Sequence, residues 1–540
     1  MPTLPSIIPI PRNLHPAEGA FILKSSTIIV VDSLDQHLSR VANAIVDYVH
    51  GATGVMLPIC AGDERGDSII RLEIEHGMLN ANAEGYQIRV APGLLRISAA
   101  RGAGFGHAFQ TLRLLLPAEF ERSGGAGRLP VEIPALEIND CPRFRWRGLL
   151  LDCSRHFMSK GFILRLLDLM ALHKLNVLHW HLLDDQGWRL QIDKYPLLTE
   201  VGAWRMEDGK KYGGFYSKAD VREIVSRATE LDIMVVPEIE LPGHSSAALA
   251  AYPELSCHGR AAEVPTRWGV FKDIMCGGKD AVVQFYKDVL TEVVELFPAP
   301  YIHIGGDEAP RDNWKECPLC QQRIRDHGLK DEKQLQTWLT MEIQKFLETK
   351  DRRIIGWDEL YEGGLPPGAV LQHWRYEECL KGALELGHEV ILSRNLFTYF
   401  DFPYYKDPTT YSKDTQKMDW MPAIGTEKAY SYPPIPEGLP ADKHGLILGG
   451  ECTMWTEFAP EDRVLTDLFP RLCAFAEVFW SPGERRDYAD FSRRLEEHKK
   501  RLDALGVNYH TGPESGADWK QIYPPGMEPA PLIPRVAPAR

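Results

Sequence analysis

From Arg147 onward the sequence repeats one unit: a short apolar run, a polar loop, then a stretch with helical spacing of apolar residues. Eight such runs follow one another, at 148–153, 176–183, 233–239, 301–304, 353–357, 369–373, 389–392 and 445–448. Runs this short and this continuously apolar suit strands buried on both faces, as in a parallel sheet, where neighbours must be joined by a crossover that is usually a helix. The stretches 161–174, 218–231 behind Ser217, 281–297, 334–348 and 463–480 supply such helices. Eight βα units in succession predict an α/β fold, a closed (β/α)8 TIM barrel over residues 141–485.

The flanking segments read differently. Residues 1–140 alternate β-rich runs (27–31, 69–74, 86–90, 94–97) with amphipathic stretches (37–49, 106–116), the pattern of a small α+β domain. Its Gly102-Ala-Gly-Phe-Gly106 segment lacks both the Lys-Ser/Thr ending of a phosphate loop and the dinucleotide spacing, so it reads as a helix-entry turn. Residues 121–128 read as a loop and 134–142 as the link to the barrel. Residues 486–540 hold one C-terminal helix, 488–505, and a Pro-rich tail from Pro524 that packs loosely or not at all.

Charge and composition narrow the partners. The formal charge is -14, from 61 Lys+Arg against 75 Asp+Glu, without long runs of one sign. That excludes a nucleic-acid footprint and suits a neutral ligand. No stretch approaches a membrane span of about 18 apolar residues. The start, Met-Pro-Thr-Leu-Pro, has no basic segment followed by an apolar core, so the chain is expected to be cytoplasmic, or exported with its leader removed. No cofactor motif is complete. The ten cysteines are too sparse for a disulfide scaffold. Cys317-Pro-Leu-Cys320 is open to three readings, half a zinc site, a redox pair or a local disulfide, but no second CxxC exists and no metal centre is expected. Cys257 and Cys276 flank a loop and are placed to pair in an oxidising compartment.

In a parallel barrel the residues just past each strand share one mouth. Here those residues are Asp152, Ser154, Arg155 and His156; His179, His181, Asp184, Asp185 and Trp188; Glu238, Glu240 and His244 for the first three strands. The next three supply His303, Asp307 and Glu308; Trp357, Asp358 and Glu359; His373, Trp374 and Arg375. The last two lead to Tyr399 and Asp401, and to Glu451, Trp455 and Glu457. A pocket walled by tryptophan and edged by carboxylates and arginine is what a pyranose requires, because its C–H faces stack on rings while its hydroxyls need donors and acceptors.

Within the fourth unit, Tyr301-Ile-His-Ile-Gly-Gly-Asp-Glu-Ala-Pro310 ends in two adjacent carboxylates, and the glycines before them let backbone or ligand come close. A solvated acidic turn is the plain alternative. The His-x-His of His179 and His181, with His244, also fits a metal-dependent barrel hydrolase, although carboxylates lie near each histidine in sequence and could hold it by hydrogen bonds. A third possibility is a sugar-binding barrel without catalysis.

The motifs Arg147-Gly-Leu-Leu-Leu-Asp-Cys-Ser-Arg-His-Phe, His179-Trp-His-Leu-Leu-Asp-Asp-Gln, Pro237-Glu-Ile-Glu-Leu-Pro-Gly-His, His303-Ile-Gly-Gly-Asp-Glu, Gly356-Trp-Asp-Glu and Gly450-Glu-Cys-Thr-Met-Trp-Thr-Glu, in this order, resemble the family 20 glycoside hydrolases, the β-N-acetylhexosaminidases. The resemblance runs over about residues 5–505 and includes the small N-terminal domain. It implies exo-acting, retaining hydrolysis of terminal β-linked GlcNAc or GalNAc from a glycan or chito-oligosaccharide, with no cofactor and with the substrate's own acetamido group as nucleophile. It further implies Glu308 as acid and base with a raised pKa, and Asp307 as the residue that orients the acetamido N–H. Arg155 and Glu457 would grip distal hydroxyls, Tyr399 the acetamido oxygen and Asp401 a hydroxyl near C4 or C6. Trp357, Trp374 and Trp455 would cage the acetyl methyl and the sugar face. Asp184 and His244 would support Glu308. Glu240 stands where the family usually has Asp, which leaves its supporting role in question.

Overall fold

The computed structural model describes residues 5–32, 35–62, 64–77, 82–122, 124–405 and 421–514. The Pro-rich tail from Pro524 and part of the 403–433 loop lie outside these residues. By internal contacts the chain divides into two compact units.

The first unit comprises residues 1–147, 168–176 and 468–512. It contains a seven-stranded mixed sheet in the order Asn13–Leu23, Val131–Asp140, Tyr86–Ala91, Leu94–Ala99, Ile69–Ile74, Ile28–Val31, Ile59–Ala61. The helices Gln36–Thr53 and Gly102–Leu115 share one apolar core with this sheet, through Val41, Ile45, Val49, Phe105 and Leu112 against Leu72, Ile88 and Ile97. Asp35 starts the first helix by accepting the N–H groups of His37 and Leu38, and Gly54 ends it at φ +76°. The glycines at 102–106 lie inside the second helix, not before it, and Gly104 is there for close approach: a Cβ would stand 2.4 Å from the carbonyl oxygen of Gly85. Three strands depart from the sequence reading, the short Ile59–Ala61 at the sheet edge among them. Asn13–Leu23 was not anticipated, and Val131–Asp140 occupies most of the segment read as a link.

The second unit comprises residues 148–167, 177–467 and 513–540 and contains the closed barrel. Its strands are β1 (Trp146–Asp152), β2 (Val177–His181), β3 (Met234–Glu238), β4 (Tyr301–His303), β5 (Arg353–Trp357), β6 (Val370–His373), β7 (Val390–Leu392) and β8 (Ile447–Met454). All eight predicted runs form strands, each pairing in parallel where a register is given. The last strand runs further than expected: glycines at 449 and 450 do not end it, so Glu451 lies within β8 and not beyond it. The predicted helix 463–480 is two helices, Glu461–Leu468 and Arg471–Trp480, because Pro470 has no N–H to continue the ladder. Register places chemistry in one layer: Asp152 stands beside His181, His181 beside Glu238, and Glu238 beside His303. No described helix is long and apolar enough to cross a membrane.

Candidate active site

The turn after β4 carries the two adjacent acids, and its shape depends on the glycines before them. Gly305 and Gly306 sit at φ +61° and +96°, and Glu308 itself is left-handed at +43°. A Cβ on Gly305 would lie 1.7 Å from Oε2 of Glu240, and one on Gly306 would lie 2.6 Å from Cδ2 of Leu360. The group that comes close is therefore the carboxyl of Glu240, whose Oε2 accepts the N–H of Gly306 at 3.4 Å. Burial first, and then the charges of Asp307 and Glu238, push the Glu240 pKa well above the usual carboxyl range, which favours its neutral form beneath the turn.

His244 links the acids to the second strand's loop. Its Nδ1 donates to Oδ1 of Asp184 at 3.1 Å and to Oδ2 of Asp185 at 3.2 Å. Its Nε2 faces Oδ2 of Asp307 at 3.7 Å and Oε2 of Glu308 at 3.9 Å. Burial alone would lower its pKa, but Asp184, Asp185 and Asp307 outweigh that and hold it well above the usual value, so the ring is an imidazolium. Oδ2 of Asp184 in turn accepts from Arg155 at 2.7 Å and from His181 Nε2 at 3.1 Å. Arg155 also reaches Asp152 at 3.2 Å and Glu457 at 3.9 Å, and its guanidinium lies 5.3 Å from the centre of the Trp455 ring. Burial pushes the Glu308 pKa up, the charge of Asp307 adds to this, and His244 and Arg375 oppose it. Oδ1 of Asp307 is buried without a hydrogen-bond partner among the described residues.

Aromatic rings form a continuous wall. Trp357 and Trp455 have ring centres 6.0 Å apart, Tyr399 and Trp455 6.3 Å, and Tyr399 stacks on Trp374 at 6.0 Å with planes 14° apart. Asp401 is buried and its charge helps to raise the Tyr399 pKa, second to burial. Trp357 is almost wholly buried, and its indole N–H donates to Oε1 of Glu238 at 2.9 Å. The twelve residues to which the resemblance gives a role thus fall into one connected set.

Two further residues belong to it. Arg375 lies 3.8 Å from Oε1 of Glu308 and pairs closely with Glu359, which also accepts the indole N–H of Trp374 at 3.1 Å. Burial, opposed by Arg375 and reinforced by Asp307 and Asp358, raises Glu359 to about 8. The sequence placed both at strand ends but supplied no reason to join them to Glu308.

The histidines read as candidate metal ligands are committed to carboxylates instead. His179 faces Glu451 through Nδ1 at 2.7 Å and Glu238 through Nε2 at 3.0 Å, and His181 faces Glu238 through Nδ1 at 2.7 Å. Burial opposes their charge, yet these acids raise His179 to about 9 and His181 to about 10, the hydrogen-bonded support that carboxylates near each histidine can give. Glu238 gathers His179, His181, His303 and Trp357 around one carboxylate.

Comparison with known proteins places the chain in a family. The model for the catalytic domain of glycosyl hydrolase family 20 matches residues 144–483, and that for domain 2 of the same family matches residues 4–141. A "Beta-hexosaminidase" of Porphyromonas gingivalis is 42% identical over 507 residues, 94% of this chain, and the chain spans 64% of that protein's length. A "Beta-N-acetylhexosaminidase" of Cellulomonas fimi is 33% identical, with 94% of this chain and 96% of that protein covered. A mutant beta-hexosaminidase of Streptomyces plicatus, solved in complex with its product GlcNAc, superposes with a TM-score of 0.83 at 32% identity, covering 95% of this chain and 98% of that one. Matched by both domain models along most of its length, the chain belongs to glycosyl hydrolase family 20.

Proposed function

We propose that this protein is an exo-acting, retaining β-N-acetylhexosaminidase that uses the acetamido group of its substrate as nucleophile. The observation that carries the reading is the state of the Asp307–Glu308 pair. One acid is pushed towards its protonated form by burial, and its neighbour keeps a buried, unpartnered oxygen. Adjacent side chains on one turn are poorly placed to attack a glycosidic bond from both faces, so the pair suits an acid and an orienting group better than an acid and a nucleophile.

In this reading the sugar's 2-acetamido oxygen attacks C1 while Glu308 gives its proton to the departing oxygen, and the C1–O bond breaks with its electron pair staying on the leaving group. Asp307 accepts the acetamido N–H through Oδ1 and balances the positive charge of the oxazolinium ring. Glu308, now a carboxylate, takes a proton from water as that water opens the ring at C1, and the proton it lost is restored. His244 and Arg375 stabilise Glu308 in its charged state between the two steps. Tyr399 donates to the acetamido oxygen, Asp401 accepts a hydroxyl near C4 or C6, and Arg155 with Glu457 holds the distal hydroxyls. Trp374, Trp455 and Trp357 enclose the acetyl methyl and the sugar face. The names of the relatives and the GlcNAc complex of the Streptomyces enzyme support an N-acetylhexosamine as substrate. Release of the chromophore from an aryl β-N-acetylglucosaminide tests the reading. Steady turnover is expected, whereas binding without turnover would favour a sugar-binding barrel.

A further inference from the structure

The loops behind β3 and β4 bring four cysteines together that are far apart in sequence. Sγ of Cys276 lies 3.6 Å from that of Cys320 and 3.8 Å from that of Cys317, and Cys257 Sγ lies 3.9 Å from Cys320 Sγ. All four sulfurs fall within 4.8 Å of one another. Sulfurs placed about 2.3 Å from a central zinc at the corners of a tetrahedron sit about 3.8 Å apart, close to the three distances above. The disulfide that sequence spacing allowed between Cys257 and Cys276 is not formed, and all ten cysteines are free thiols.

The surrounding structure is built to hold this arrangement. Ser256 and Met275 form an antiparallel bridge that sets Cys257 and Cys276 side by side, and the N–H of Cys276 donates to the carbonyl of Leu255 at 2.9 Å. Cys317 precedes Pro318 at the start of the helix Pro318–Asp326, which carries Cys320 in its first turn. Gly278 lets the two loops meet backbone to backbone, since a Cβ there would lie 2.2 Å from the carbonyl carbon of Leu319 and 2.3 Å from the nitrogen of Cys320. Three of the thiols are buried and Cys257 is half-buried, so an ion could enter from one side.

We propose that Cys257, Cys276, Cys317 and Cys320 form a structural zinc site with a closed tetrathiolate shell. Binding replaces four S–H bonds with four Zn–S bonds and releases four protons to the buffer, and no electrons are transferred. The N–H of Gly278, which bonds Cys276, and the positive end of the helix from Pro318 offset the net negative charge of the site. Soft sulfur ligands in tetrahedral array select zinc over the oxygen-seeking cations. The site ties down the 257–276 loop. The carbonyl of Arg267 in that loop accepts from Gln186 at 2.9 Å, and Gln186 accepts from Arg155 Nε at 3.2 Å, so the staple also steadies the sugar-facing arginine.

The test reads metal and thiols and does not depend on the catalytic reading. The full-length chain, isolated without chelators or a metal-affinity step, is expected to contain about one zinc per molecule. After reduction and stripping it should bind about one equivalent of Co2+ with the intense visible bands of a tetrahedral tetrathiolate, bleached by added zinc. Cys257→Ser should lose those bands and bind zinc at least about tenfold more weakly, whereas Cys60→Ser should behave as the parent. If Cys257→Ser does not fold, the cobalt spectrum and the zinc content of the parent still decide. The proposal is overturned by a reduced parent that gives no tetrathiolate spectrum, by iron in place of zinc, or by an intact mass showing disulfides among the four cysteines.

Discussion

Nε2 of His244 stands 3.7 Å from Oδ2 of Asp307, with the opposite nitrogen of the ring anchored on Asp184. Because this imidazolium also faces Glu308 at 3.9 Å, it holds the acid's pKa below the level that burial alone would impose. Replacement by Gln should raise the Glu308 pKa further. The alkaline limb of kcat/KM, where activity is lost as the acid ionises, should then move to higher pH. Turnover should fall about tenfold to a hundredfold, corresponding to about 1.5–3 kcal/mol for a hydrogen bond to a charged group. A pH profile measured on both proteins checks this, and an unmoved limb would mean that His244 does not act on Glu308.

Glu308→Gln removes the proton donor while preserving shape. Substrates with poor leaving groups should lose about 10²-fold or more in kcat, the scale of acid catalysis, while aryl substrates with acidic phenols should lose far less. Comparing the two classes of substrate separates acid catalysis from binding. Equal losses would point to a misfolded site.

Gly305→Ala would force a methyl group into Glu240 Oε2 and place it on a backbone at φ +61°. A loss of about 1–3 kcal/mol in urea unfolding is expected from the backbone strain, with a further loss from the clash. Shortening the neighbour with Glu240→Asp should return part of the clash energy in the double variant. Strict additivity in that cycle would show that the two positions do not meet.

The cluster around Glu238 makes stability depend on pH. His179 and His181 are raised in the folded chain from 6.5 to about 9 and about 10, so their contribution is fully present below pH 6.5 and is lost as pH rises through 9 to 10. The thermal midpoint should fall across that window. Glu238→Gln should give a lower and flatter curve.

The barrel was legible because strands buried on both faces appear as uninterrupted apolar runs, and the site was legible because parallel strands deliver their C-terminal residues to one mouth. Asn13–Leu23 escaped because it is an edge strand, mostly exposed, that contains Pro16 and Gly19. Val131–Asp140 escaped because Pro134 reads as a linker, and its burial alternates only on either side of the buried pair Ala135–Leu136. The pairing of Arg375 with Glu308, the nearness of Glu240 to Gly305 and the meeting of Cys257 and Cys276 with the CxxC are all tertiary. Sequence spacing carries no signal for contacts between separate loops.

The central claim is that the nucleophile arrives with the sugar. It is tested most directly by kcat/KM for aryl glycosides whose 2-acetamido group carries zero to three fluorines on its methyl. Fluorine withdraws electrons from the carbonyl oxygen, so the account predicts a progressive fall along the series, with the 2-hydroxy analogue barely hydrolysed. A rate indifferent to fluorination would contradict it and would require a nucleophile supplied by the protein.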